Sequence, residues 1–319
     1  MSEVLARVLQ RVLITGASGF VGPYLARALR ERGAEVHGCG LGTPPPGTPL
    51  ASYAQLDLSD ESALRTTLSL AQPTAIVHLA GQSSAAASFE SPEATFQANV
   101  GGTRALLESV REVCPDARVV TAGTSEVYGP TAPGVRVDED TEFAPVSPYG
   151  LSKAAADELA ATYARELELD VVRARPFGHT GPGQQPRFML PAFAQQIARI
   201  EKGELSPVLR VGNLEVTRDL SDVRDIVLGY IALLERGTGG RAYNLCRGEG
   251  VKLTDLVAQL VALARVKVSV EIDPARLRPA DVPYLVGDPS RALAECGWQT
   301  KLTLAQTLTD VLEGWRAEA

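Results

Sequence analysis

The stretch Val12-Leu13-Ile14-Thr15-Gly16-Ala17-Ser18-Gly19-Phe20-Val21-Gly22 constrains this chain more than any other. An apolar run ends in three glycines spaced G-x-x-G-x-x-G, and Pro23-Tyr24-Leu25-Ala26-Arg27-Ala28-Leu29 continues with a helical pattern. That order is a buried strand, a tight turn and a helix N-terminus. The first glycines allow the turn and the close approach of backbone to a ligand, and the third lets helix pack on strand. The helix start then offers free N–H groups and a positive dipole end, which suit the pyrophosphate of a dinucleotide. The spacing alone also fits a strand–helix turn that binds nothing, so the remaining chain has to discriminate.

Strand and helix patterns alternate from there. A second strand is expected over 35–39, a Gly/Thr/Pro loop over 40–49, and a third strand from Tyr53 that closes at Asp57-Leu58. A helix over 61–70 would be capped by Ser59 or Asp60. A fourth strand over 75–81 runs into a small-residue loop, one long helix covers 92–113, and a fifth strand covers 118–121. This alternation predicts an α/β fold, a doubly wound parallel sheet of Rossmann type with right-handed crossovers. The second half is less regular. It predicts a helix from Ser147-Pro148 to 167, a strand over 170–173, a Gly/Pro loop over 176–183 and helices over 188–202, 222–234, 253–264 and 302–315, with a strand over 267–272. Residues 1–175 are read as mainly the dinucleotide-binding domain. Residues 176–319 are read as mainly a smaller mixed α/β substrate domain, with some chain returning to the first and the binding cleft between them.

Composition narrows the partners. The net charge of −7 argues against non-specific nucleic-acid binding. Four cysteines and three histidines lie far apart and make no metal-ligand pattern, so the thiols read as structural in a reducing compartment. The first ten residues lack the pattern of a signal peptide, and no apolar run reaches membrane-spanning length. A cytoplasmic protein without membrane or nucleic-acid partners is expected.

On the cofactor side, the second strand ends in Gly38-Cys39-Gly40-Leu41-Gly42, with neither the acidic residue that favours NAD nor an arginine that favours NADP. The choice between the two stays open. Asp57 is placed either to hydrogen-bond the adenine amino group from a strand end or to cap the following helix.

The stretch Ser147-Pro148-Tyr149-Gly150-Leu151-Ser152-Lys153 carries the chemistry. Tyr149 and Lys153 are four apart and share a helix face. A phenol is a poor base near neutrality, and a neighbouring ammonium favours its ionised form. The pair then serves as acid or base at an alcohol or carbonyl oxygen. Eight tyrosines and five lysines in 319 residues would produce roughly 0.13 such pairs by chance. Lys153 is also the first lysine of a chain that uses 26 arginines. Upstream, Thr121-Ala122-Gly123-Thr124-Ser125-Glu126 follows the fifth strand, whose end faces the cleft in this architecture. Thr124 can donate to a substrate carbonyl or merely form a turn. Glu126 can abstract a proton beside a carbonyl or simply orient its neighbours.

These residues resemble the extended short-chain dehydrogenase/reductases that act on nucleotide sugars. The resemblance rests on T-G-A-S-G-F-V-G at 15–22, Asp57-Leu58, His78-Leu79-Ala80-Gly81, Asn99, Thr124 and Tyr149-x-x-x-Lys153, and covers essentially the whole chain. The second half is most similar to the group of GDP-4-keto-6-deoxymannose reductases. It shares R-P-F-G-H-T-G-P-G-Q at 175–184, F-A-Q-Q-I-A-R-I-E at 193–201, V-G-N-L-E-V-T-R-D-L at 211–220 and L-R-P-A-D-V-P at 277–283. The resemblance implies an NAD(P)H-dependent hydride delivery to a C4 ketone, with Tyr149 protonating the oxygen and Lys153 and Thr124 assisting. It implies a cofactor site made of Gly16, Gly19, Phe20, Val21, Gly22, Asp57, Leu58, Leu79, Ala80, Gln82, Asn99, Tyr149, Lys153 and Pro176. It places the nucleotide-sugar substrate against Ser83, Ser84, Thr124, Gly178, Arg218 and Arg278, both arginines lying in loops. Gly178 stands where relatives carry Asn. A homodimer through the helices at 102–113 and 149–167 is implied as well. Thr124-Ser125-Glu126 also resembles the 4,6-dehydratases, which retain their cofactor, so a dehydratase or epimerase is the alternative. A non-catalytic sensor on the same fold would not need the tyrosine pair.

Overall fold

The computed structural model describes residues 8–277 and 282–318. Its main sheet has seven parallel strands: β1 (Arg11–Thr15), β2 (Glu35–Gly40), β3 (Ser52–Gln55), β4 (Ala75–His78), β5 (Arg118–Ala122), β7 (Val171–Pro176) and β11 (Ala242–Leu245). The short β6 (Arg136–Val137) lies outside it. The spatial order is β11-β7-β5-β4-β1-β2-β3. The sheet is wound outward in both directions from β1 and β4, so a crevice opens at their C-terminal ends.

The strands alternate as a two-faced sheet requires. Val12 and Ile14 point to one side, with Val36, Val77, Val120 and Val172. There they meet Leu25 and Leu29 of the Val21–Arg30 helix and Ile226, Tyr230 and Leu233 of the Val223–Arg236 helix. Leu13, Ile76, Val119 and Val171 point to the other side. They pack on Leu64 and Leu68 (Glu61–Ala71), Leu106 and Val110 (Gly102–Val113) and Ala160 and Tyr163 (Pro148–Glu166). The predicted doubly wound α/β sheet is therefore present.

The smaller part is mixed. Strand β10 (Thr217–Asp222) pairs antiparallel with β12 (Gly250–Lys252), and parallel with β14 (Tyr284–Gly287) and β8 (Gly178–Thr180). β14 in turn pairs with β6, and β9 (Val208–Val211) pairs with β13 (Ser269–Ile272). Leu190, Phe193, Ile197, Leu256, Leu260, Leu308 and Leu312 form its separate core.

Several local expectations are corrected. β3 stops at Gln55, short of the expected Asp57-Leu58, while of the two expected caps it is Asp60 that starts the following helix, accepting from the Ala63 N–H at 3.0 Å. The small-residue loop after β4 contains a short helix, Ala85–Glu90. The expected Gly/Pro loop over 176–183 contains β8, because its backbone finds partners on β10. The helix over 92–113 is interrupted by one π turn at Gln97–Gly101, centred on Asn99.

Candidate active site

The crevice at the strand ends is a cleft of about 1430 Å³, walled on one side by the main sheet and on the other by β8, β10 and the 274–277 turn. Small-molecule pockets run to roughly 300–1,000 Å³, so this cleft exceeds a usual single-ligand pocket and has room for a dinucleotide and a second ligand together.

The glycine loop shows its purpose in steric terms. Gly16 has φ +71°, and a Cβ there would lie 2.7 Å from the Ala80 nitrogen in the loop after β4. A Cβ on Gly22 would lie 2.3 Å from the Ala17 carbonyl oxygen, so only glycine lets the Val21–Arg30 helix start directly on β1. That helix begins without a side-chain cap, and Val21 and Gly22 line the cleft. Unsatisfied N–H groups at such an end are a fit for a pyrophosphate. The residues present therefore fit a dinucleotide cofactor.

Behind the cleft, buried polar groups join the glycine loop to the Pro148–Glu166 helix. The His78 imidazole bridges the Thr15 hydroxyl (2.8 Å) and the Thr103 hydroxyl (3.0 Å). Burial and the nearby Lys153 charge push its pKa down to about 3, so His78 is a neutral strut and not a base. Thr103 Oγ1 donates to the Asn99 carbonyl at 2.6 Å across the π turn. The Asn99 side chain accepts from the Gln82 N–H (2.9 Å) and donates to Ser152 Oγ (2.9 Å), whose hydroxyl donates to the Tyr149 carbonyl (2.8 Å).

The Pro148–Glu166 helix starts where Ser147 Oγ accepts from the Gly150 N–H at 3.0 Å, with Pro148 in its first turn. This places Tyr149 and Lys153 on the cleft wall beside Thr124 and Glu126. Tyr149 is 7% exposed and hydrogen-bonded to Thr124. The expectation that an adjacent ammonium depresses its pKa is corrected. Burial, and then the charge of Glu126, hold the phenol above its usual value, and the Thr124 bond opposes them less strongly. Lys153 donates to the Ala122 carbonyl oxygen at 2.8 Å, and burial brings its pKa down to about 8. Glu126 accepts from Ser147 Oγ at 3.3 Å. The phenol is thus held in its protonated form more firmly than a free tyrosine, with a hydroxyl and a carboxylate beside it. That arrangement is chemically suited to giving a proton to an oxygen in the cleft.

The cleft brings together Gly16, Gly19, Phe20, Val21, Gly22, Asp57, Leu58, Leu79, Ala80, Gln82, Ser83, Thr124, Glu126, Tyr149, Lys153, Pro176, Gly178 and Arg218. Asp57 is exposed there, accepting from the Ser59 N–H at 2.8 Å, which holds its carboxyl below the usual range. Two of the expected residues do not line it. Ser84 caps the Ala85–Glu90 helix instead, and Asn99 acts from behind through Gln82 and Ser152. Arg218 lies in strand β10, not in a loop, and donates to the Thr217 and Val282 carbonyls. Arg278 lies outside the described residues. The sequence reading missed Ser18, Gln184, Arg187 and Arg276, which also line the cleft. Gln184 sits in the G-P-G-Q run and Ser18 inside the glycine loop at 15–22, so both could have been found there; Arg187 and Arg276 belong to no local pattern.

Residues 13–311 match the family model described as GDP-mannose 4,6 dehydratase. The GDP-6-deoxy-D-mannose reductase of Pseudomonas aeruginosa is 34% identical over 97% of this chain and 98% of its own length. A GDP-mannose 4,6-dehydratase of Vibrio cholerae is 29% identical over 94% of this chain and 92% of its own. The structure of RMD from Pseudomonas aeruginosa complexed with NADPH matches with a TM-score of 0.84 at 30% identity, covering 97% of this chain and 100% of the other. Sheet, cleft, tyrosine–lysine helix and relatives together make this chain a member of the extended short-chain dehydrogenase/reductase family, the NAD(P)-dependent epimerases, dehydratases and reductases of nucleotide sugars.

Proposed function

We propose that this enzyme reduces the C4 ketone of GDP-4-dehydro-6-deoxy-D-mannose to GDP-D-rhamnose with NADPH or NADH. The observation that carries the reading is the buried, protonated Tyr149 hydroxyl, hydrogen-bonded to Thr124 and facing the cleft. The 34% identity to a GDP-6-deoxy-D-mannose reductase supports it.

When bound, the reduced nicotinamide supplies the hydride. Tyr149 gives its proton to the oxygen that was the ketone, and the Thr124 hydroxyl orients that oxygen by donating to it. Lys153 would hold the ribose hydroxyls of the cofactor, and the glycine loop its pyrophosphate. The Arg218 guanidinium meets the diphosphate of the nucleotide sugar, with Arg278 as a second cation. Gly178 has no side chain to offer, so one contact there passes to water. The same reading has two copies meeting through the Gly102–Val113 and Pro148–Glu166 helices, where Leu151 is 52% exposed.

The test is to add NADH or NADPH to the purified protein with enzymatically made GDP-4-keto-6-deoxymannose. Loss of the reduced-nicotinamide band in step with a new GDP-deoxyhexose is the expected result, and the better cofactor identifies the ribose preference. One observation favours a second reading: Glu126 reaches the cleft beside Tyr149, where it could move a proton next to a carbonyl. Conversion of GDP-mannose to the keto sugar without net cofactor use, by a protein that retains nicotinamide, would replace the reductase with a 4,6-dehydratase.

A further inference from the structure

The buried tyrosines of this fold have partners for their hydroxyls, with one exception. Tyr128 donates to Asn244 Oδ1 at 2.7 Å, Tyr163 to Glu108 Oε1 at 2.5 Å and Tyr243 to Glu295 Oε2 at 2.6 Å, and Tyr149 is bonded to Thr124. Tyr230 is 1% exposed, yet its hydroxyl has no hydrogen-bond partner among the described residues. Burying a hydroxyl without a partner is unfavourable, and such a group in a folded protein calls for an explanation. The sequence motifs assign Tyr230 no role.

Its position supplies one. Tyr230 lies two turns into the Val223–Arg236 helix, which begins where β10 leaves the cleft wall. Aromatic side chains of a helix lean back toward its N-terminus, so this ring points toward the strand ends. The ring is packed in the core on one face of the main sheet, and the residue lines the cleft. The helix packs under β5 and β7, whose last residues, Ala122 and Pro176, line the same cleft.

The face of the sheet identifies the ligand. The Val21–Arg30 helix, whose start fits the pyrophosphate, lies on the same face as Tyr230, and the two helices pack on each other. Tyr149 and Lys153 come from the Pro148–Glu166 helix on the opposite face, and Lys153 donates to the Ala122 carbonyl at the end of β5. A dinucleotide that is anchored at the glycine loop and brings its nicotinamide to Tyr149 therefore reaches the end of β5, above the Tyr230 helix. The nicotinamide ring carries one polar substituent, a carboxamide. A phenol can donate to the oxygen of such an amide or accept from its nitrogen.

We propose that Tyr230 is a further cofactor-contacting residue, whose hydroxyl hydrogen-bonds the carboxamide of the nicotinamide and fixes how that ring is turned beside Tyr149. This rests on the oxidoreductase part of the proposed function, and not on the identity of the ketone.

The test is calorimetric titration of full-length wild type and Tyr230→Phe with the tighter-binding of NADH and NADPH, and with the ADP-ribose fragment of that dinucleotide. The fragment keeps the pyrophosphate and lacks the nicotinamide. Tyr230→Phe should bind the dinucleotide about fivefold more weakly, the contribution of one neutral hydrogen bond. It should bind the fragment within about twofold of wild type. Ligand-free Tyr230→Phe should melt no lower than wild type, because the ring stays and only an unpartnered hydroxyl leaves. A hydroxyl that serves the fold would lower the melting temperature of the ligand-free protein, and that result overturns the proposal. Equal weakening of dinucleotide and fragment, or no weakening of either, overturns it too. So does weaker binding of GDP-mannose with dinucleotide affinity intact, which would hand the hydroxyl to the nucleotide sugar. Selective loss of dinucleotide affinity in a protein that reduces no ketone would retain the proposal and overturn the reductase.

Discussion

On the sheet side of the cleft, the groups beside Tyr149 are tied down by buried hydrogen bonds. Thr15, His78, Thr103, Asn99 and Ser152 form a line from the glycine loop to the backbone of Tyr149. On the other side, Arg276 is 43% exposed and paired with Asp273 at 3.4 Å, Arg187 is exposed against the Phe188 ring, and Arg218 leans on backbone carbonyls. The first wall sits on the central strands of a seven-stranded sheet, and the second on short strands and turns. Chemistry needs atoms held to fractions of an ångström, and a positioned group loses its value when it moves. Recognition of a flexible diphosphate tolerates adjustment. The difference between the walls therefore predicts that substitutions on the sheet side act on kcat or on stability, and substitutions on the other side act on KM.

The largest effect belongs to Tyr149→Phe. It removes one hydroxyl from a buried ring and leaves the glycine loop untouched. Turnover should fall at least ~10²-fold, the lower range for a positioned acid. Cofactor affinity by fluorescence titration should stay within about twofold. A comparable loss in both would mean that the phenol serves binding, and the contrast between the walls would fail.

Asn99→Ala comes next. It strips the Gln82 N–H and the Ser152 hydroxyl of a partner in a buried site. Each unsatisfied group costs about 1–3 kcal/mol, so thermal unfolding should move down by several degrees. Cofactor binding should weaken along with it, because Gln82 lines the cleft. Unchanged melting would show that the line behind the wall carries no load.

His78 supplies a pH test of the same line. Its folded pKa is depressed to about 3 from 6.5. Its contribution is therefore present above pH 6.5 and lost as pH falls toward 3, because the unfolded chain takes up the proton first. The slope is about 1.4 kcal/mol per pH unit in that window. Melting temperatures of wild type and His78→Gln measured at descending pH should converge, since glutamine has no proton to gain. Parallel curves would mean that His78 accepts a proton in the fold and is not a neutral strut.

The two walls also differ in how much of them the sequence discloses. The glycine loop and the tyrosine–lysine pair are local: three glycines within seven residues, or two side chains one turn apart, keep their meaning wherever the fold places them. The alternation of Val12, Leu13 and Ile14 between two cores is local in the same way. What escaped the sequence is what depends on distant partners. β8 hides in a Gly/Pro-rich run because its strand character comes from pairing with Leu220–Asp222, some forty residues on. β11 joins the main sheet through four residues, Ala242 to Leu245, with no pattern of their own. Nothing in the sequence shows that Arg175 is buried, because its partners Asp157, Tyr128 and Glu139 are 18 to 47 residues away. Arg187 and Arg276 reach the cleft only because the smaller part folds over it.

The smallest expected effect lies on that second wall. Arg218 lines the cleft, its guanidinium donating to the Thr217 and Val282 carbonyls. A hydrogen bond to a charged group contributes about 1.5–3 kcal/mol, and under the proposed reading the loss of Arg218 from the diphosphate removes the lower end of that range. Arg218→Ala should therefore raise KM for the nucleotide sugar roughly tenfold, weaken GDP binding by calorimetry to the same extent, and leave kcat within about twofold. Arg218→Lys should recover only part of the loss, because a single ammonium cannot reproduce the bidentate fork. If kcat falls instead while GDP affinity holds, Arg218 acts on the reacting end of the sugar, and the division between a catalytic wall and a recognition wall has to be redrawn.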